Sequence, residues 1–235
     1  MTQNNYLQDI CWPNVVLTEA IDGAQWTISA LPCHEESAVR VAKMCSLEAP
    51  FLNGRCVLNW LTNPELIKEK FHDPDFGFFG VWRNDSVVGV VILKAHQIDL
   101  VIELAFCCVN SEYKSTKCSE MIARFSVSLL KNTRAHVLYA DCVTHILGAQ
   151  NALESVGFLP IGVQLGMEIF GGKGGSLSRA TTIRYAFYAK EIEASVFQLD
   201  QLRLTRRSLI LLEAVRSAIR NVDDNVVDFP LKRAS

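Results

Sequence analysis

Apolar positions along this chain recur in two rhythms, short extended runs and longer stretches of helical spacing, and their succession outlines an α/β domain. Gln25 to Leu31 reads as a short strand. His34-Glu35-Glu36-Ser37 then introduces a helix, with acidic residues in its first turn and Ala38, Val41, Ala42 and Cys45 on one face. Asn63-Pro64 predicts a second helix, a capping residue followed by proline at the first helical position, with Leu66, Ile67 and Phe71 on the buried side. Phe76–Arg83 and Val87–Ala95 are apolar strands separated by the hairpin residues Asn84-Asp85-Ser86, and Asp99–Val109 is expected to pair with them.

Beyond this point the period changes. Cys118, Ile122, Phe125 and Leu129 recur at spacings of four, three and four, the mark of an amphipathic helix over Cys118–Lys131. A strand over Ala135–Val143, a helix over Ile146–Ser155, and two strands, Ile161–Phe170 and Arg179–Lys190, joined by a glycine-rich loop at 171–176, complete the domain. Residues 1–25 carry only the short apolar run Val15-Val16-Leu17 and read as an arm packing on residues 26–190. Residues 191–235 form a helical extension and tail, in which Leu209, Leu212, Val215, Ile219 and Val222 share a stripe and Arg203, Arg206, Arg207, Arg216 and Arg220 lie on the remaining surface. This stripe is expected to dock on its own domain, with a homodimer contact as the next reading.

Composition narrows the function classes. At 235 residues, 49% hydrophobic and 20% charged, the chain has ordinary globular content, and its formal charge of −2 gives no general attraction for nucleic acid or an anionic membrane. The start lacks a basic segment followed by an apolar run, and no apolar stretch reaches the roughly 18 residues of a bilayer span, so a soluble, cytoplasmic protein is expected. The eight cysteines contain no C-x-x-C pair and no paired Cys/His spacing. They read as buried reduced thiols, and no metal is expected. Cys118 stands apart, because a thiol in a helix first turn beside Lys114 and Lys117 is a candidate for a lowered pKa.

The segment richest in chemistry runs from Glu103 to Phe158. An apolar strand ends in the polar turn Asn110–Lys117 and enters a long helix, whose first-turn N–H groups and positive dipole end suit an anion such as a pyrophosphate. Lys114-Ser115-Thr116-Lys117-Cys118-Ser119 and the later helix ending in Gly157-Phe158 resemble the coenzyme A turn and the second motif of the GNAT acetyltransferase superfamily. Lys114 matches the first turn position and Ser119 the small residue at the last, whereas Lys117 stands where the family has glycine. The resemblance covers roughly residues 26 to 189 and implies a mixed, mostly antiparallel sheet flanked by helices, here with the C-terminal helical extension. It further implies acetyl-CoA as cosubstrate and transfer of its acetyl group by direct attack of a small-molecule or peptide amine.

On that resemblance, the backbone of Cys107, Cys108 and Val109 lies beside the thioester, and Lys114, Ser115, Thr116, Lys117, Cys118 and Ser119 hold the pyrophosphate. Glu103, on the fourth predicted strand, is a candidate general base, and so is His145, just after the fifth, whose unperturbed pKa of about 6.5 suits proton transfer. Many family members protonate the leaving thiolate with a tyrosine in the last core helix. Ile146–Ser155 has none, which leaves Tyr139, Tyr185 and Tyr188 as alternatives. Walker spacing and G-x-S-x-G are both missing. The alternative reading is a binding or scaffold module that keeps the fold without catalysis.

Overall fold

The computed structural model describes residues 10–49, 58–113, 117–144, 146–171, 177–189 and 205–220. Its first strands arise from a two-residue turn. Asp22 and Gly23 both adopt positive φ, 50° and 74°, the conformation such a hairpin loop requires and Asp-Gly readily supplies. Strand β1 (Leu17–Ile21) therefore folds back on β2 (Ala24–Ala30). The stretch expected as an arm thus contributes a strand to the sheet, and ahead of it Ile10 is buried while Trp12 meets Phe79 edge to face.

Helices α1 (Glu35–Glu48) and α2 (Pro64–Phe71) start at the expected caps, with His34 accepting from the Ser37 N–H and Asn63 from the Glu65 N–H. Strands β3 (Phe76–Arg83) and β4 (Ser86–His96) form the predicted hairpin, with Asn84 at φ 51°. Then come β5 (Val101–Val109), α3 (Cys118–Lys131), β6 (Val137–Val143) and α4 (Leu147–Ser155). Gly157, at φ 94°, turns the chain out of α4 so that Phe158 is buried against Phe187, as the Gly-Phe motif implies. Strands β7 (Leu159–Gly171) and β8 (Leu177–Tyr188) close the domain.

The eight strands form one sheet in the order β1-β2-β3-β4-β5-β6-β8-β7. Every neighbouring pair is antiparallel except β5 and β6, which run parallel and are linked through α3. Alternation along β4 separates two cores: Val91, Leu93 and Ala95 join Phe125, Leu129 and Leu153 under α3 and α4, whereas Val90 and Ile92 join Val41, Cys45 and Ile67 under α1 and α2. Helix α5 (Arg206–Arg220) lies against β7, with Ile210 and Leu211 exposed. Of its expected stripe, the side chains of Leu212, Val215 and Ile219 fall outside the described residues, as do Val222, Arg203, the side chains of Arg207, Arg216 and Arg220, and the loop at 172–176. No described helix is long and apolar enough to cross a membrane.

Candidate active site

Two irregularities in β5 build a cleft. Against β4, Ile92 pairs with Phe106 but Leu93 with Leu104, so Ala105 is an extra, bulged residue. Against β6, rungs run from Val101/Val137 to Leu104/Ala140 and then stop, although β5 continues to Val109 and β6 to Val143. The strands part at the bulge, leaving the β6-facing backbone of β5 without a rung. The extra residue also exchanges faces: Ile102 and Leu104 pack under α3 and α4, whereas Phe106 and Cys108 pack under α1 and α2.

On the α1/α2 face, at the base of the cleft, polar side chains converge. Alternation opposite Ile102 and Leu104 turns Glu103 this way, and Tyr139 sits directly across from it on β6. His96 Nε2 lies 3.0 Å from Glu103 Oε2 and 3.2 Å from the Tyr139 hydroxyl. Tyr139 is held in turn by β8: the Arg184 guanidinium lies 4.7 Å over its ring and makes two bonds to Asp141, at 2.8 and 2.6 Å. Burial, followed by a hydrogen bond to Glu103, raises the Tyr139 pKa well above that of an ordinary phenol, so its hydroxyl keeps its proton and acts as a donor. The Glu103 and His96 side chains remain 28% and 31% exposed, so a solute on this face can reach them.

The other side of the cleft presents thiols. Cys107 is solvent-accessible, yet enough protein surrounds it that burial pushes its pKa up to about 11. Cys108 points to the opposite face, where a hydrogen bond with Cys45 and then burial hold its thiol well above the ordinary range. Two expectations about cysteines are corrected here. Cys118 faces the core with 2% exposure, and burial pushes it up to about 12, so the helix first turn does not activate it. Cys11 and Cys33, like Cys107, are exposed and not buried.

The turn that follows β5 is anchored at its start. The Ser111 N–H donates to Glu48 Oε2 of α1 at 2.9 Å, and the Glu112 N–H to Asn110 Oδ1 at 3.1 Å. Lys117 is the N-cap of α3 and makes no side-chain capping bond, and both Lys117 and Ser119 are exposed. Glu120 in the same turn is paired to Arg124, which also binds Glu19 of β1. Lys114, Ser115, Thr116 and His145 lie outside the described residues. Tyr185 is no part of the cleft cluster: it faces the α3/α4 core and donates to Glu154 at 2.7 Å. Among the described residues no three metal-ligating side chains gather as a metal site.

The sequence named Glu103 and, separately, Tyr139 as a candidate acid, but not His96 and not their meeting. His96 lies seven residues earlier, across the turn at 97–100, and an alternating count back from that turn puts both on one face. The parallel register that brings Tyr139 opposite Glu103 leaves no comparable local trace.

A mixed sheet whose single parallel pair splays beside a bulge, with a helix starting at the open end, defines an α/β fold with an open cleft between its two central parallel strands. Comparison with solved structures makes it specific: the chain has the fold of the GNAT acetyltransferases. Mycobacterium smegmatis RimJ, solved in complex with CoA-disulfide, superposes with a TM-score of 0.61 at 11% identity over 79% of this chain and 92% of its own. The ribosomal-protein-S5-alanine acetyltransferase of Vibrio fischeri gives 0.57 at 12% identity, over 74% and 98%. A chimera of Vibrio cholerae spermidine N-acetyltransferase SpeG gives 0.55 at 17%, over 69% and 95%. No family model matches the sequence, and no curated protein matches it.

Proposed function

We infer that this protein transfers an acetyl group from acetyl-CoA to an amine, by direct attack across the β5/β6 cleft. The observation that carries this reading is the end of strand pairing at Leu104/Ala140 with Glu103 held beside it. The residues present fit coenzyme A. The β6-facing edge of β5 around Cys107, Cys108 and Val109 suits the pantetheine arm, and the start of α3 with Lys117 and Ser119 suits the pyrophosphate, joined by Lys114, Ser115 and Thr116 of the turn. When bound, acetyl-CoA supplies an activated carbonyl and a good leaving group.

The chain's own residues do the rest. Backbone N–H groups of β5 polarise a carbonyl laid against them, because they are fixed and need no rearrangement. Glu103 accepts the proton that the attacking amine gives up, directly or through a water, from a face that the acceptor enters beside α1 and α2. Tyr139, kept protonated and directly across from Glu103 on β6, is a candidate proton donor. His145, just beyond β6, stays a second candidate for proton transfer. The structural neighbours named above act on a protein amine and on a polyamine, so an alanine-terminated peptide and spermidine are the first acceptor probes.

The test is release of free thiol from acetyl-CoA in the presence of either probe, together with thermal unfolding with and without acetyl-CoA. Turnover with a raised midpoint supports transfer. A protein that neither shifts nor turns over is a binding module on the same fold.

A further inference from the structure

We propose that His96 is a positioning residue for Glu103, fixing the carboxylate at the base of the cleft; the inference rests on the transfer reading above. An ionised carboxylate only accepts hydrogen bonds, so at 3.0 Å the His96 Nε2 must carry the proton and donate it to Glu103 Oε2. The Tyr139 hydroxyl, 3.2 Å from the same His96 Nε2 and directly across from Glu103 on β6, closes this side of the pair. A fixed donor on one carboxylate oxygen restricts its rotation and leaves the remaining lone pairs for an incoming amine.

The frame behind these side chains is stiff. His96 pairs with Val101 at the end of the β4/β5 ladder, so its backbone is tied into the sheet. Tyr139 is clamped between its strand and the Arg184–Asp141 pair. The charged groups on this face come from every strand around the site: Lys94 across from Glu103 on β4, Asp141 on β6 and Arg184 on β8. Arg184 is bound to Asp141, which leaves His96 as the imidazole in direct contact with Glu103. Glutamine can place an amide N–H near the position of the imidazole Nε2, whereas leucine keeps bulk and gives no donor.

Two measurements on the full-length chain test this. In turnover of acetyl-CoA with spermidine or the alanine-terminated peptide, H96L should lower kcat about tenfold to a hundredfold with the KM for acetyl-CoA within about twofold, and H96Q should return to within about threefold of wild type. Full activity in H96L, or H96Q as impaired as H96L when both melt at the wild-type temperature, overturns the proposal. In 15N-histidine-labelled protein the His96 Nε2 proton should give a downfield, slowly exchanging resonance that disappears in E103A. If wild type turns over neither probe, the transfer reading fails, and the resonance then decides the positioning alone: its presence supports the proposal and its absence overturns it.

Discussion

Leu104 and Ala140 form the last rung between the parallel strands β5 and β6, one residue from the bulge at Ala105, and the first side chain to face into the opened space on the α3/α4 side is Cys107. This relationship makes occupancy of the cleft testable. Acetyl-CoA at about 100 times its dissociation constant adds roughly 2.7 kcal/mol, a rise of about 5 to 10 °C in the unfolding midpoint for a chain of this size. Cys107→Trp fills the cleft from an exposed position, so the variant should fold and lose the shift. Differential scanning fluorimetry on both proteins is the check, and an undiminished shift in the variant places the ligand elsewhere.

Glu103, the proposed proton acceptor, is bonded to His96, which the Tyr139 hydroxyl also approaches. Replacing it with glutamine keeps size and acceptor geometry but removes the basic site. General-base contributions run to about a hundredfold to ten-thousandfold, so Glu103→Gln should lose activity on that scale while its acetyl-CoA shift remains. Steady-state thiol release with the same acceptor probes reads this directly.

Cys107 joins accessibility to low reactivity. The thiolate is the reacting species, and with a pKa of about 11 almost none is present at neutral pH. Iodoacetamide should therefore modify Cys107 slowly at pH 7.5, with a rate that climbs about tenfold per pH unit and levels off only near pH 11. Peptide mass mapping across pH follows the site, and acetyl-CoA in the cleft should protect it. Fast labelling at pH 7.5 contradicts the environment described.

Much of this architecture is written in local patterns. Alternation and helical spacing place β3, α3 and α4 almost residue for residue, because each buries one face on the sheet and its period follows from that. Caps such as Asn63 and the turn at Gly157 mark element ends for equally local reasons. The first hairpin is missed, residues 1–25 reading as an arm, because Leu17–Ile21 carries little apolar alternation and only the turn residues Asp22-Gly23 mark the fold-back. The site is harder to read. Glu103 stands out as a carboxylate in an apolar run, yet its neighbours depend on an extra residue at Ala105 and on a parallel register fixed through α3, and neither leaves a periodic signal. Cys118 misleads for the same reason: helix position suggests activation, while the direction of its side chain, set by packing, buries it.

That burial has a consequence for stability at alkaline pH. In the unfolded chain the Cys118 thiol ionises near its ordinary value of about 8.5, whereas in the folded protein burial, and then the neighbouring Cys107, hold it up to about 12. Above the unfolded value the unfolded state binds fewer protons than the native one, so stability falls as pH rises. The contribution is fully present below about pH 8.5 and declines by roughly 1.4 kcal/mol per pH unit until the folded group also ionises. Between pH 8 and pH 10 this amounts to about 2 kcal/mol for a side chain only 2% exposed. Cys118→Ala gives up some core packing at every pH but removes this titration. Urea unfolding of wild type and variant at the two pH values should show the wild type losing about 2 kcal/mol more than the variant. Equal losses in the two proteins mean that Cys118 is not held neutral by the fold.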